Sequence, residues 1–418
     1  MSAAPHALIA GAGIGGLTAS LCLARSGFRV SIFERAASLE TVGAGLQISP
    51  NASAILRDLG VLPLLSDSAL APVALSIRRG LDGELLQRVS LENAEQHWGA
   101  PYLLAHRADL QKALLESVAR DSRITLALGH ELIGFDTGWR GVEISTRNGA
   151  AKTAHRGECL IGADGLRSVV RQRLDELRIE EGRATQPALL PKRASQIAWR
   201  ALVDADQVEP ALRLPQTNLW LGHGAHLVHY PLRGGKVINI VAITDAPANI
   251  DWNADIWSEP ADRNEIQSHF ASWHAQVRTL ISAAREWRKW PLVALPPLPE
   301  WTWGRVALMG DAAHPMLPFL AQGAAQAIED ADMLGAMLLP DAPIEPCLAA
   351  YAAARRTRAN RVQAASRRQG WIYHLGEPAA YVRDLRLRML TERQFFARYN
   401  WLYRPRPNLT NHKVEDEN

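Results

Sequence analysis

Cysteine is scarce in this chain: Cys22, Cys159 and Cys347 are the only three in 418 residues, and none pairs with another at CxxC or ligand-like spacing. That excludes a disulfide framework and a cysteine zinc site, and it fits a reducing cytoplasm. No charge of one sign dominates, since 46 Lys plus Arg against 43 Asp plus Glu leave a formal charge of +3. So small a balance gives no field for steering polyanions, and a nucleic-acid partner is not expected. No apolar run reaches the roughly 18 to 20 residues that a membrane helix needs. No basic leader with a long apolar core precedes the strand-like Ala7-Leu-Ile-Ala10, so no secretory signal is expected. Internal repeats and long low-complexity segments are missing too. What is present is 47% hydrophobic residues, enough for one large or two ordinary cores, and the prior is two interleaved domains.

Hydrophobic periodicity orders the chain. Residues 7 to 34 read as one βαβ unit: an apolar strand, a glycine turn, a helix to Arg25, a stop at Ser26-Gly27 and a strand from Arg29 to Phe33. Val73 to Arg79 and Glu84 to Leu91 read as a hairpin across Leu81-Asp82-Gly83. Arg107 to Arg120 reads as a helix, and the stretches around Ile124 to Leu128 and Gly141 to Thr146 read as strands. From Gln196 to Thr244 strands separated by Gly and Pro follow one another, including Ala198 to Val203 and Val237 to Ile243. Beyond Gly310 the chain reads as helical, with one helix from about Gly323 to Leu339 and Arg-rich ones from about Pro346. The cluster Arg355, Arg356, Arg358, Arg361, Arg367 and Arg368 reads as a solvated helix face. The acidic end, Val414 to Asn418, is expected to be disordered.

Three glycine-bearing segments carry the chemistry. In Gly11-Ala-Gly13-Ile-Gly15-Gly16, Gly11 permits the tight turn, Gly13 lets the backbone approach a pyrophosphate, and Gly16 lets helix and strand pack closely. Glu34 ends the next strand, where its carboxylate can accept from both ribose hydroxyls; it favours FAD or NAD over NADP. The second segment runs from Cys159 to Arg171 and contains Asp164-Gly165, Ser168 and Arg171. The third is Gly310-Asp311-Ala-Ala-His314-Pro315, continuing through Pro318 and Gln322-Gly323 into a helix. Asp311, at the end of an apolar strand, needs donors that polyol hydroxyls supply.

With these segments in this order, residues 5 to 375 resemble the group A flavoprotein monooxygenases, the family of salicylate, hydroxybenzoate and 6-hydroxynicotinate hydroxylases. The resemblance implies an α/β fold: a Rossmann-like FAD-binding domain interleaved with a β-sheet substrate domain, and C-terminal helices. The implied division is 1–72, 100–185 and 295–340 for FAD; 73–99 and 186–294 for substrate; 341–405 for the helices; and 406–418 as a tail. It also implies FAD contacts at Glu34, Arg35, Gln47, Arg107, Leu128, Asp164 and Asp311, with Gly323 and Ala324 offering backbone N–H groups to the N1–C2=O edge of the ring. Pro318 and Phe319 would flank the substrate. The partners implied are a small aromatic, dioxygen and NADH or NADPH, with the protein a monomer or homodimer and no metal.

The expected reaction is hydroxylation of an electron-rich phenolic or heteroaromatic acid through a C4a-hydroperoxide of the flavin, with a base near the substrate hydroxyl. The strand His226-Leu-Val-His229-Tyr230-Pro231 is placed to supply it, with His229 the first choice and Tyr230 the second. Alternation puts those two on opposite faces. The same alternation keeps His223, His226 and His229 from converging on zinc. Gln47 stands where some relatives carry a catalytic histidine. Missing redox cysteines and a missing second GxGxxG disfavour a disulfide reductase, and Gly304-Arg305-Val306 after Trp301-Thr-Trp303 disfavours a halogenase. Epoxidation, a larger polycyclic substrate and a non-catalytic flavin-binding regulator remain alternatives.

Overall fold

The structure is a computed structural model that describes residues 4–39, 45–183, 192–246 and 258–405. The expected tail lies outside the described residues. Two large sheets organise the described residues, beside a three-stranded sheet of Glu131–Gly138, Gly141–Asn148 and Ala151–Gly157 and a two-stranded one of Gly45–Ile48 and Leu103–His106. The first has six strands in the order Thr302–Trp303, Val306–Leu308, Cys159–Gly162, His6–Ala10, Arg29–Glu34, Ile124–Leu128, parallel except for the outermost hairpin pair. Its central strands are apolar almost without interruption, as parallel strands covered on both faces must be; Ala7, Leu8, Ile9, Leu160 and Ile161 are all fully buried. Helix Ile14–Arg25 crosses helix Gly323–Met337 so closely that a Cβ on Gly335 would lie 2.9 Å from that of Cys22.

The second sheet has eight strands: Glu259–Ala261, Trp287–Ala294, Lys192–Asp204, Val237–Asp245, Ala225–Leu232, Gln216–Gly222, Ala74–Arg79 and Leu85–Ser90. The hairpin of residues 74–90 therefore leaves the first sheet's neighbourhood and pairs in parallel with Gln216–Gly222, Gln216 opposite Ala74. One face of this sheet is sealed by helices Arg263–His269 and Ala275–Ala283 through Trp199, Trp220, Leu227, Ile240, Phe270 and Trp273. Trp273 fills the space over Gly80 and Gly222, where any side chain would overlap its ring. Several tryptophans thus serve packing. The other face looks toward the Pro318–Ala321 loop and the C-terminal helices Ile344–Tyr373, Ala379–Met389 and Glu392–Tyr403.

The arginine cluster is not one solvated face. Arg355 is fully buried, and its guanidinium donates to Asp330 Oδ1 at 2.6 Å, to Glu329 and to Gln326 Oε1 at 2.9 Å. Arg358 also grips Glu329, at 2.6 Å, and half-buried Arg356 donates to the Pro299 carbonyl, whereas Arg361, Arg367 and Arg368 are exposed as expected. Burial alone would raise both carboxyls, but Arg355 and then Arg358 hold Glu329 below its ordinary range, and His314 and then Arg355 hold Asp330 below its own. Such a pair costs desolvation, and its geometry must be complete to offset it. Here it fixes the long helix against the helix that begins at Gly323.

Candidate active site

The glycine turn packs as its spacing predicts. Gly11 has φ +99° and lies so near the second segment that a Cβ would sit 2.5 Å from Ala163 O. Gly13, in contrast, faces open space, with nothing within 4 Å of a notional Cβ. Gly15 abuts Ala327 and Gly16 abuts the Gly11 carbonyl. Helix Ile14–Arg25 has no side-chain N-cap, so its first N–H groups point into the opening at Gly13. Glu34 sits at the rim of that opening, Oε2 accepting from Ala12 N at 2.8 Å and Oε1 from Ala36 N at 2.9 Å. Arg35 is exposed beside it, and Leu128 pairs in register with Glu34 across the sheet and is also exposed.

The second and third segments are tied together. Asp164 Oδ2 accepts from Val169 N at 2.7 Å and Val170 N at 3.2 Å, so it caps helix Val169–Glu180, while Oδ1 has no partner. Burial pushes its carboxyl upward against those hydrogen bonds. Buried Arg171 donates to the Leu166 carbonyl and to Ala312 O at 2.9 Å, which fastens the Asp-Gly turn to the Gly-Asp turn. Asp330, from the following helix, accepts from Gly310 N at 2.9 Å and lies 2.5 Å from His314 Nε2. Asp311 is left free to face the cleft. Its carboxyl is reachable from the cleft yet deep in protein, and that desolvation pushes it upward against the pull of His314, Arg107 and Arg171. Arg107 opens helix Arg107–Ala119 with an exposed side chain. At the far end of the cleft, helix Gly323–Met337 again lacks a side-chain N-cap, because Gln322 turns its amide to Ser49 Oγ at 2.8 Å. The first N–H groups, at Gly323 and Ala324, stay open. Two uncapped helix ends, the open backbone at Gly13 and a carboxylate between them fit an elongated dinucleotide with a polyol middle.

Beside the Pro318 loop lies a cavity of about 940 Å³, lined by Gln47, Val228, Pro318 and Phe319 and closed by the C-terminal helices through Leu387 and Tyr399. Gln47 Oε1 accepts from Tyr102 OH at 2.6 Å. Neither His229 nor Tyr230 lines this cavity. His229 is fully buried on the helix-covered face, where Trp220 Nε1–H donates to its Nδ1 at 3.3 Å; burial and the Arg78 charge push its pKa down to about 3. The expectation of a base at His229 is corrected on that ground. Tyr230 shares the cavity-side face but ends beneath Gly45, where a Cβ would meet its ring at 2.6 Å. Burial raises its phenol, opposed by Arg200.

The histidine of this strand that reaches the cavity is His226. It lines the cavity, its ring is 5.5 Å from that of Phe319, and its Nδ1 lies 2.8 Å from His374 Nε2. Burial, then His374, holds its pKa well below the usual histidine range, so it is neutral at pH 7. The sequence contained one usable signal for it: residues 226, 228 and 230 share a face.

Residues 5–366 match the FAD binding domain family. The chain belongs to this family. It is 35% identical over 398 residues to 3-hydroxybenzoate 6-hydroxylase 1 of Aquipseudomonas alcaligenes, covering 95% of this chain and 96% of that one. It is 33% identical to 6-hydroxynicotinate 3-monooxygenase of Pseudomonas fluorescens, covering 91% and 94%. A solved salicylate hydroxylase substrate complex superposes with a TM-score of 0.80 at 27% identity, over 96% of this chain and 95% of the other. The α/β fold, FAD as cofactor and the class, an FAD-dependent monooxygenase of the aromatic-hydroxylase type with the NAD(P)H use typical of it, follow from that membership. No helix among the described residues is long and apolar enough to cross a membrane.

Proposed function

We propose that this protein hydroxylates an electron-rich phenolic or hydroxypyridine carboxylic acid, with His226 as the base for the substrate hydroxyl. The carrying observation is a neutral, buried imidazole that opens on the cavity beside Pro318 and Phe319. When bound, reduced FAD supplies activated dioxygen as an electrophile. The protein's own part is to hold, orient, dry and deprotonate. Gly11, Gly13, Gly15, Gly16 and Glu34 would hold the ADP half, with Arg35, Arg107 and Leu128 along the cleft. Asp311 would accept from the polyol, and the open N–H groups at Gly323 and Ala324 would face the electron-rich edge of the ring. Asp164 acts by holding the Asp-Gly turn in shape. Tyr230 supports the strand that carries Gln47. Val228 and Phe319 exclude water from the oxygen-transfer region. His226 Nε2 would take the hydroxyl proton, which raises electron density on the ring.

The cavity's volume, about 940 Å³, favours a second reading in which the ring belongs to a larger or polycyclic substrate. The division of the chain into segments 1–72, 100–185 and 295–340 against 73–99 and 186–294 is part of the proposal and is supported by the separation of the six-stranded from the eight-stranded sheet. So are a cytoplasmic setting, supported by three unpaired thiols, and a monomeric or homodimeric state. The test is NADH and NADPH oxidation by the FAD-loaded protein with salicylate, hydroxybenzoates and hydroxypyridine carboxylates, with product analysis. Faster oxidation with a hydroxylated product is expected. Yellow protein inert to all of them would overturn the reading in favour of a non-catalytic flavin binder.

A further inference from the structure

His226 does not stand alone. Its Nδ1 meets His374 Nε2 at 2.8 Å, and His374 Nδ1 meets Asp245 Oδ1 at 2.7 Å. The three residues come from the strand Ala225–Leu232, the end of the long C-terminal helix and the end of the strand Val237–Asp245. The imidazoles are buried, whereas the Asp245 side chain is 55% exposed. Two cavities meet at this chain. The inner one, beside Pro318, is lined by His226; a second, of about 550 Å³, is lined by Asp245, His374, Gln196 and Arg367. Phe319 forms part of the wall of both. The imidazole pair is a polar path through an otherwise apolar partition.

Donor and acceptor bookkeeping sets the direction. An ionised carboxylate only accepts, so His374 Nδ1 carries the hydrogen and its Nε2 is the acceptor. His226 must then donate from Nδ1, which leaves the lone pair of its Nε2 for the inner cavity. Asp245 therefore selects, through two rings, the tautomer in which His226 can act as a base. We propose that His374 and Asp245 form a proton relay that carries the substrate's hydroxyl proton from His226 in the inner cavity to solvent at the outer one.

The transfers balance. The substrate O–H bond breaks, leaving its electron pair on oxygen, and the proton binds His226 Nε2. The Nδ1 proton of His226 passes to His374 Nε2, and the Nδ1 proton of His374 passes to Asp245 Oδ1 or water. One proton leaves and both rings end neutral in the opposite tautomer. Reprotonation of a product oxygen from His226 Nε2 runs the series backward and restores the starting state. The backbone of His374 is fixed on both sides: His374 N donates to Gly370 O at 3.2 Å, and Gly224 N donates to His374 O at 3.2 Å. Other titratable or charged groups about the chain are Tyr373, against the His226 ring, His223, which acts on Asp245, and Arg367 in the outer cavity. Gln196 Nε2 donates weakly to Asp245 Oδ1 at 3.4 Å.

The relay rests on the hydroxylase reading, and its test separates the two. FAD-loaded wild type, His226→Asn, His374→Gln and Asp245→Asn are mixed in weak buffer with 3-hydroxybenzoate, salicylate or 6-hydroxynicotinate, following ligand ionisation by absorbance and proton release by an indicator dye. Wild type should ionise at least one ligand, and His226→Asn should not. His374→Gln and Asp245→Asn should bind with unchanged affinity but release the proton on the order of tenfold more slowly, a fraction of the 10²–10⁴ that a directly acting base contributes. Free imidazole should restore the rate in His374→Ala. Release at the wild-type rate in both His374→Gln and Asp245→Asn, with His226→Asn still silent, would overturn the relay and leave the hydroxylase reading standing. Ionisation of none of the ligands by wild type would remove both. Asp245→Asn alters a half-exposed side chain, so it reports on the relay even where changes at His374 disturb folding.

Discussion

His226 and His229 sit on one strand and are both buried, and burial holds both neutral at pH 7, yet they serve opposite sides of a sheet. Trp220 donates to His229 Nδ1, so the remaining nitrogen of His229 carries a hydrogen, has no partner and is enclosed by the helix layer. His226 Nδ1 lies 2.8 Å from His374 Nε2, and its ring lines a cavity; with His374 Nδ1–H on Asp245, as proposed, His226 donates from Nδ1 and keeps the Nε2 lone pair for that cavity. A depressed pKa is common to both and so identifies neither. Access and the tautomer imposed by the neighbour make the difference.

The comparison can be broken in several ways, the largest expected effect coming from the cavity face. His226→Asn should cut hydroxylated product by roughly 10²–10⁴ with FAD retained, measured as product per bound flavin; a loss of flavin instead would make His226 a packing residue. Asp311→Ala should weaken FAD binding by about 10- to 100-fold, the cost of about 1.5–3 kcal/mol for hydrogen bonds to a charged acceptor. Equilibrium dialysis against FAD reads this, and retained stoichiometric flavin would remove Asp311 from the site. Gly11→Ala should cost about 1–3 kcal/mol of stability, because φ is +99° and the new methyl lies against Ala163 O; an unchanged melting temperature would contradict the tight turn.

The smallest effect belongs to the helix-covered face and depends on pH. His229 has a folded pKa of about 3, below the ordinary 6.5. The unfolded chain therefore binds the extra proton first, and stability present above pH 6.5 is lost as pH falls toward 3, by up to about 1.4 kcal/mol per pH unit. Denaturant unfolding at pH 7 and pH 5 should show a shallower loss for His229→Gln than for wild type. Equal slopes would mean that the ring is hydrated.

The flavin cleft was legible in the sequence because backbone builds it: glycine spacing, strand ends and helix starts encode the turns at Gly11 to Gly16 and Gly310 to Gly323. The base was not. Alternation divides the strand of His226 into two faces, but which face is covered depends on helices 263–269 and 275–283, packed from a later part of the chain. His374 lies 148 positions from its partner, and no local pattern announces such a pair. Arg355 departs from the solvated face expected of it for the same reason, since its carboxylate partners Glu329 and Asp330 sit on a different helix.

The most direct test of the two-face account is the absorbance difference spectrum of a bound phenolic acid at pH 7 in FAD-loaded wild type, His226→Asn and His229→Asn. The phenolate band is expected in wild type and His229→Asn, and the neutral phenol in His226→Asn. A phenolate band that persists in His226→Asn, or one that vanishes only in His229→Asn, would contradict it.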